Sequence, residues 1–242
     1  MLDHIKAENI LFLDIETVPQ FADFEQVPEA FKQLWDKKSL YFRSDEQSPA
    51  DVYQRAGIYA EFGKIICISV GIIVPRSEGH YFRLKSFYGE DEKKLLEQFA
   101  GMLNKYYAKN KNVYLCAHNG KEFDFPYISR RMLIHGIHLP AILDVAGKKP
   151  WEVTFLDTME LWKFGDYKHY TSLNLLTHIF NIPTPKDDID GSMVADVYWN
   201  EQDLDRIVQY CEKDVLAVAQ LFLRYQGKPL IKPENVQSAT DD

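Results

Sequence analysis

The sequence predicts a mixed α/β protein with a central sheet flanked by helices. Three β-rich, largely apolar runs predict strands near residues 10–18, 65–74 and 81–88. A short stretch at residues 75–79 with proline and glycine separates the second run from the third, which indicates a hairpin. Helices and strands then alternate, so we expect an antiparallel start to the sheet followed by parallel strands.

Each later element is predicted by its own periodicity. The first strand is apolar apart from two acids, which is typical of a central strand covered on both faces. Helical spacing of apolar residues and the flanking turn residues predict the rest. We expect a helix at 91–110, a strand at 113–117, a helix at 125–135, a strand within 153–161, a short helix at 172–180 and a long helix at 203–225.

Residues 20–63 interrupt this alternation and predict a helical insertion between the first two strands. One helical stretch follows Pro28, and a second follows Ser48 and Pro49, a good N-cap and a good first helical residue. The chain has 242 residues, 46% of them hydrophobic, which suits one core and one domain over residues 1–231. The polar residues 232–242 are expected to form a flexible, frayed tail.

Charge and cysteine usage narrow the function classes. The formal net charge of −8 argues against tight nonspecific binding to long duplexes, because such binding depends on neutralising phosphates. It is compatible with an enzyme that binds few nucleotides. Cys67, Cys116 and Cys211 each lie in an apolar stretch without the spacing of a zinc pair, so we expect reduced core cysteines.

The sequence has no features of a secreted or membrane protein. Too few apolar residues precede Asp14 to form the apolar region of a signal peptide. No run approaches the roughly 20 apolar residues that cross a bilayer. We therefore expect a soluble, cytoplasmic protein without a membrane partner.

Two acids in the first strand are the first functional signal. Residues two apart in a strand share a face at about 7 Å, so Asp14 and Glu16 would project together from a buried strand. Two carboxylates at that distance repel by about 2 kcal/mol at an effective dielectric of ~20, and a bound cation removes this penalty. The alternative is a solvated or salt-bridged strand end, since Asp23 and Glu25 repeat the pattern in an irregular segment.

A second signal lies where the strand at 113–117 runs into a polar loop. This loop leads to Asp124 at the start of a helix, and active sites of α/β proteins gather at such strand exits. Asp124 could instead be an ordinary N-cap, and His118 and Asn119 could simply satisfy the turn. Asp157 fits a strand near the site, in a supporting or structural role.

The third signal is in the last helix. Tyr210 and Asp214 lie one turn apart on the margin of its apolar stripe, so they would face the sheet. A carboxylate buried there needs a partner. The alternative is a half-exposed shoulder of the helix, because Tyr41 and Asp45 show the same spacing elsewhere.

Together, the three signals resemble the motifs of the DEDD exonuclease superfamily. They are Asp14-x-Glu16, Asn119-x-x-x-Phe123-Asp124 and Tyr210-x-x-x-Asp214, in that order. The tyrosine indicates the DEDDy branch. The residues in and around these motifs resemble those of the proofreading exonuclease domain of family B DNA polymerases and of the stand-alone predicted exonucleases related to it. The resemblance spans about residues 10–225 and implies a ribonuclease H-like fold.

The resemblance implies a metal-dependent 3′-5′ exonuclease. Asp14, Glu16, Asp124 and Asp214 would hold two Mg²⁺ or Mn²⁺ ions, whose hardness suits carboxylate oxygens. Tyr210 would orient the attacking water or help to deprotonate it. The residues implied to lie against the 3′ nucleotide are Ile15, Thr17, His118, Asn119 and Phe123.

The polymer that the enzyme would act on stays open at this point. Single-stranded DNA 3′ ends are the favoured substrate, and an RNA-trimming enzyme with the same four acids is the first alternative. A catalytically silent fold that binds nucleic acid or a protein is the alternative from another class. The sequence does not identify a polymerase or repair partner.

Overall fold

A computed structural model describes residues 2–77, 79–109, 112–166, 170–183 and 189–240. Within them the chain forms one six-stranded sheet in the order β5-β4-β1-β2-β3-β6. β1 to β3 are antiparallel neighbours, whereas β4, β5 and β6 add in parallel. The predicted mixed sheet is confirmed. The strands are β1 Ile10–Pro19, β2 Gly63–Arg76, β3 Gly79–Tyr88, β4 Tyr114–Ala117, β5 Leu156–Asp157 and β6 Val236–Ser238.

Helices cover both faces of the sheet, as predicted. They are α1 Glu29–Ser39, α2 Glu92–Lys109, α3 Asp124–Ile134, α4 Thr158–Lys163, α5 Leu173–Ile179, α6 Val194–Asp196 and α7 Leu204–Tyr225. A π-helical turn, Val197–Glu201, follows α6. Over the described ranges, none of the helices combines the length and the apolar character that a bilayer span requires.

The alternation of β1 assigns its side chains to two cores. Leu11 and Leu13 pack with residues of α2 and α3 on one face of the sheet. Ile10 and Phe12 pack with residues of α7 on the other face. Because side chains alternate along a strand, the even-numbered residues after Phe12 also face α7.

The insertion at residues 20–63 has a small aromatic core of its own. Trp35 of α1 is fully buried there, and its indole Nε1 donates to the Pro49 carbonyl at 2.9 Å. The helix predicted after Pro28 is confirmed, but the one after Ser48 and Pro49 is wrong, since that stretch forms turns and the 3-10 helix Tyr53–Ile58. A Cβ on Gly57 would lie 3.1 Å from Pro19, so this close approach to β1 favours glycine, a poor α-helix former.

The strand predicted within residues 153–161 is confirmed, and it is short. Only Leu156–Asp157 pairs with β4, and α4 begins immediately afterwards. The Asp157 carboxylate accepts the backbone N–H of Met159 at 2.9 Å and of Glu160 at 3.3 Å. This N-cap starts the helix directly after the strand.

The expectation of a frayed tail after Lys232 is wrong as far as Thr240. Val236–Ser238 pairs in parallel with Phe82, Arg83 and Leu84 of β3. The carboxylate of Glu212, on α7, accepts hydrogen bonds from Ser238 at 3.1 Å and from Thr240 at 2.5 Å. Polar side chains therefore attach this segment to the body of the protein, which a purely compositional argument cannot detect. Residues 241 and 242 lie outside the described residues.

Candidate metal centre

Asp14 and Glu16 project from β1 towards α7, as predicted from their spacing. Glu16 is 7% exposed and Asp14 is half-buried. Beside them the ladder between β1 and β2 is irregular, since Glu16 pairs with Cys67 whereas Thr17 already pairs with Ile65. Such bulges bend a strand and are frequent next to active sites.

Asp157 organises the loop that leads from β4 to Asp124. In addition to capping α4, its carboxylate accepts the backbone N–H of Asn119 at 2.9 Å and of Lys121 at 3.1 Å. Asn119 has a φ of 62°, a left-handed conformation that asparagine tolerates. A Cβ on the following residue, Gly120, would lie 2.4 Å from the Ala117 side chain, so the loop can close only with glycine there. The predicted supporting role of Asp157 agrees with these contacts.

Asp124 is the first residue of α3 and lies against β1. The pairing of β1 with β4 ends at Phe12 and Cys116, and beyond it the backbone N–H of Ile15 donates to the Asp124 carboxylate. Asp124 is 3% exposed, and among the described residues its Oδ1 has no hydrogen-bond partner. The alternative of an ordinary N-cap is excluded by position, because Phe123 is the N-cap residue of this helix.

α7 brings three side chains to the same place. The Tyr210 hydroxyl hydrogen-bonds with Asp214, one turn further along the helix. The Cys211 thiol is fully buried and donates to Asp14 Oδ2 at 3.4 Å. One ligand atom each from Asp14, Glu16 and Cys211 lies within 4.8 Å of the others. The charges of Glu16, Asp124 and Asp214 all act on Asp14, so the four predicted acids lie near one another between β1, α3 and α7.

Burial and mutual repulsion raise the pKa values of three of these acids. For Asp14, burial raises the pKa most, followed by the charges of Glu16, Asp124 and Asp214. For Glu16, burial and then Asp214 raise the pKa. Burial raises the pKa of Asp124 to about 7, against the lowering effect of its backbone hydrogen bonds. In the described part of the chain, no lysine, arginine or histidine is among the groups that shift these three pKa values.

The environment of Tyr210 keeps its hydroxyl group protonated. Burial raises the pKa of its hydroxyl far above the usual value near 10, and the charges of Asp214, Glu16 and Asp14 raise it further. A phenolate beside three carboxylates would be strongly disfavoured. Tyr210 therefore offers a hydroxyl group that donates and accepts hydrogen bonds, rather than a base.

The loop residues implied to contact substrate differ in whether their polar atoms are already hydrogen-bonded within the protein. Both ring nitrogens of His118 are engaged, Nδ1 with Thr158 Oγ1 at 2.9 Å and Nε2 with the Thr171 carbonyl at 2.8 Å. This favours the alternative in which His118 holds the loop. Asn119 keeps a buried Oδ1 without a partner among the described residues. The half-buried Phe123 ring packs on Tyr127 at 5.4 Å between centroids.

The two remaining residues of that set lie on β1, on the face opposite the acids. Ile15 is 4% exposed, and its side chain belongs to the core with α2 and α3. Only its backbone borders the carboxylates, so a side-chain contact of Ile15 with substrate does not agree with the fold. Thr17 is half-buried and hydrogen-bonds with the Tyr127 hydroxyl.

Cys211 is the site residue that sequence reasoning missed. The prediction of a buried, free core cysteine is confirmed for all three cysteines, but their apolar surroundings concealed a contact with an acid. The available signal was spacing, since Cys211 precedes Asp214 by three residues and therefore shares its side of the helix. Cys67, directly opposite Glu16 in the ladder, contacts the Cys211 thiol.

Comparison with known proteins agrees with this geometry. Residues 58–234 match a family described as predicted 3′-5′ exonucleases related to the exonuclease domain of PolB. The chain belongs to this family. The segment that matches the PolB-related exonuclease family contains Asp124, Tyr210 and Asp214, and it begins after Asp14 and Glu16. The observed sheet has the expected mixed arrangement, with three antiparallel strands followed by parallel ones.

Comparison with solved structures also finds a similarity to a polymerase. The chain is similar to the family B DNA polymerase from the hyperthermophilic archaeon Pyrobaculum calidifontis, with 17% sequence identity and a TM-score of 0.49. The similarity covers 89% of this chain and 24% of the polymerase, so the chain spans about a quarter of that protein.

Proposed function

We propose that this member of the PolB-related exonuclease family is a metal-dependent 3′-5′ exonuclease acting on single-stranded DNA. The observation that carries the proposal is that Asp14, Glu16, Asp124 and Asp214 lie close enough for their charges to act on one another. Burial and mutual repulsion raise the pKa values of the first three. This is expected, in the metal-free protein, of carboxylates that bind a cation. An uncompensated cluster of this kind is costly to a fold, so a functional reason for it is needed.

The donor set fits hard divalent ions. All four side chains offer carboxylate oxygens, the ligands preferred by Mg²⁺ and Mn²⁺. The unpartnered Oδ1 of Asp124 supports the same assignment. When bound, two such ions would lower the pKa of the attacking water and stabilise charge on the attacking and leaving oxygens. We assign Asp14, Glu16, Asp124 and Asp214 as the residues that hold them.

Tyr210 orients the attacking water in this proposal. Its hydroxyl hydrogen-bonds with Asp214, and its raised pKa keeps the proton on the oxygen at neutral pH. A group in that state holds a water molecule by hydrogen bonds without removing a proton from it. The role given to Tyr210 is therefore orientation.

The loop before Asp124 is proposed to receive the 3′ nucleotide. The Phe123 ring offers a stacking surface, which contributes about 1–3 kcal/mol per base regardless of sequence. The Asn119 amide offers hydrogen bonds. Neither contact discriminates deoxyribose from ribose, so the choice of DNA over RNA rests on the resemblance and needs a direct test.

Digestion of matched oligonucleotides tests the proposal. Single-stranded DNA and RNA of the same sequence, labelled at the 5′ end, are incubated with Mg²⁺, Mn²⁺ or EDTA. We expect a DNA ladder that shortens from the 3′ end and is lost in EDTA. Preferential cleavage of RNA would transfer the proposal to an exoribonuclease, and cleavage of neither polymer would favour a silent binding fold.

Two substitutions test whether activity depends on the acids of the site or on any acidic residue. Asp14→Ala should abolish cleavage. Asp23→Ala is the matched control, because Asp23 has the same Asp-x-Glu pattern but is exposed in the insertion. Equal loss in both variants, or no loss in Asp14→Ala, would contradict the assignment.

A further inference from the structure

The buried thiol of Cys211 contacts the acid cluster, and two-ion hydrolysis does not use it. Its Sγ lies 3.4 Å from Asp14 Oδ2 and 3.5 Å from the Asp14 carbonyl oxygen. A ligand atom from Asp14, one from Glu16 and this sulfur lie within 4.8 Å of one another. Hard ions such as Mg²⁺ do not favour a sulfur ligand, so this arrangement is not explained by an all-oxygen site.

A second observation also indicates a missing cation at this point. Asp124 is 3% exposed, and its Oδ1 has no partner in the part of the chain that the structure describes. The same carboxylate accepts the backbone N–H of Ile15, which lies between Asp14 and Glu16 in the sequence. The charge of Asp124 acts on both Asp14 and Glu16, so the residue with this unpaired buried oxygen lies close to the two carboxylates of the cluster.

The geometry is close to that of a zinc site. Zinc binds sulfur at about 2.3 Å and carboxylate oxygen at about 2.0–2.2 Å, so ligand atoms around a tetrahedral ion are roughly 3.5 Å apart. The Cys211 to Asp14 distance of 3.4 Å already meets this requirement. The widest spacing, at most 4.8 Å, would have to contract by about 1 Å.

We infer that Asp14, Glu16 and Cys211 form a mixed oxygen and sulfur site for a thiophilic divalent cation of the zinc class. The site shares Asp14 and Glu16 with the proposed Mg²⁺ set and differs from it by the sulfur. Occupation by zinc and by Mg²⁺ is therefore mutually exclusive, and zinc inhibits the Mg²⁺-supported reaction. Binding of zinc itself does not depend on nuclease activity.

Cadmium is the probe, because Cd²⁺ bound to a thiolate absorbs in the ultraviolet. Metal-free protein is titrated with Cd²⁺ while this band is recorded. We expect a saturable band that stoichiometric Zn²⁺ removes and Mg²⁺ removes only in large excess. Absence of a saturable band in the wild type would overturn the inference.

Two of the three cysteines supply matched variants. Cys211→Ala should lose the band, and Asp14→Asn should weaken Cd²⁺ binding by at least about tenfold, the loss that even an outer-shell change produces. Cys116→Ala should retain the band, since Cys116 packs in the core beside Phe12 and is the matched control away from the site. A band that persists in Cys211→Ala, or disappears in Cys116→Ala, contradicts the assignment.

A measurement on the wild type avoids any effect of substitution on folding. Zinc-edge X-ray absorption of the zinc-loaded protein should give one sulfur neighbour at about 2.3 Å and oxygen neighbours around it. No sulfur, or two sulfurs, would overturn the inference. The Mg²⁺-dependent digestion assay reports the proposed exonuclease activity separately, so failure of either proposal can be recognised on its own.

Discussion

Glu16 and Glu92 are buried to the same extent, yet they lie in opposite environments. Glu16 is 7% exposed and Glu92 is 6% exposed. Glu92 accepts Arg131 Nε at 2.8 Å, and its other oxygen lies 2.5 Å from the second guanidinium nitrogen. It also accepts the backbone N–H of Ile65 at 2.7 Å and lies 2.7 Å from His135 Nε2. Glu16 is surrounded by other carboxylates and a thiol.

The comparison separates a structural carboxylate from a functional one. The Glu92 network joins α2, α3 and the start of β2, and Arg131 Nη1 extends it to the Ala60 carbonyl at 2.9 Å. A buried carboxylate paired with a side-chain cation is tolerated by the fold, and removing the cation is strongly destabilising. A buried charge left to an external cation costs stability until that cation binds, which is the arrangement expected of a catalytic metal site.

The largest expected effect is on activity at the uncompensated site. Asp14→Ala or Asp214→Ala should lower turnover at least about 10³-fold, because each removes a ligand whose metal supplies several kcal/mol of transition-state stabilisation. Steady-state digestion rates measure this effect. In EDTA neither variant should be less stable than the wild type, since a repelling charge is lost, and normal turnover by either would refute the assignment.

A large effect on stability is expected at the compensated site. Arg131→Ala should lower the free energy of unfolding by about 3 kcal/mol, because it removes the guanidinium of a buried ion pair and leaves Glu92 with only His135 and the Ile65 N–H. Urea denaturation measures this loss, and the folded fraction should keep its specific activity. Arg130→Ala, an exposed neighbour on α3, is the control and should change stability little. Equal stability of both variants would mean that the ion pair is not what compensates Glu92.

Tyr210→Phe tests whether the hydroxyl acts in the reaction. We expect turnover to fall about 10²-fold, the typical loss of one oriented hydrogen-bonding group, while stabilisation by Mg²⁺ is retained. Rates and melting temperatures are compared with Tyr41→Phe, an 89% exposed tyrosine with the same spacing to an aspartate. Unchanged turnover would remove Tyr210 from the mechanism.

The smallest expected effect is the response of the metal-free protein to pH. Asp124 has a folded pKa of about 7, above its unfolded value, so the native state binds more protons between about pH 4 and 7. The contribution of Asp124 to stability is therefore present at low pH and is lost as pH rises through 7. The difference in melting temperature between the wild type and Asp124→Asn isolates this contribution, and it should fall with rising pH.

Mg²⁺ should compensate for that loss at pH 8. At ten times its dissociation constant it stabilises by about 1.4 kcal/mol. For a chain of this size this corresponds to roughly 3–6 °C in melting temperature. Asp14→Ala should show little of this shift, and a wild type insensitive to Mg²⁺ would contradict the metal assignment.

Much of the fold was predictable because periodicity is local. The strands β1 to β4 and the helices α2, α3, α5 and α7 follow from the spacing of apolar residues along the chain. The errors occurred where a side chain overrides propensity. Glu212 accepts a hydrogen bond from Ser238, in a tail that composition predicted to be frayed.

The candidate site was predictable to a similar degree. Four acids and a tyrosine at motif spacing indicated which residues meet. The engagement of both His118 nitrogens and the inward direction of Ile15 were not apparent, because they depend on partners distant in the sequence.

By itself, the sequence determined the order of the strands along the chain, the face shared by Asp14 and Glu16, and the turn of helix shared by Tyr210 and Asp214. Only the tertiary structure decided which buried acids are paired with a positively charged side chain. Glu92 and Arg131 are 39 residues apart, and Cys211 and Asp14 are 197 apart. Periodicity reports direction relative to a single strand or helix. Charge compensation depends on which elements pack together, so it appears only when the chain is folded.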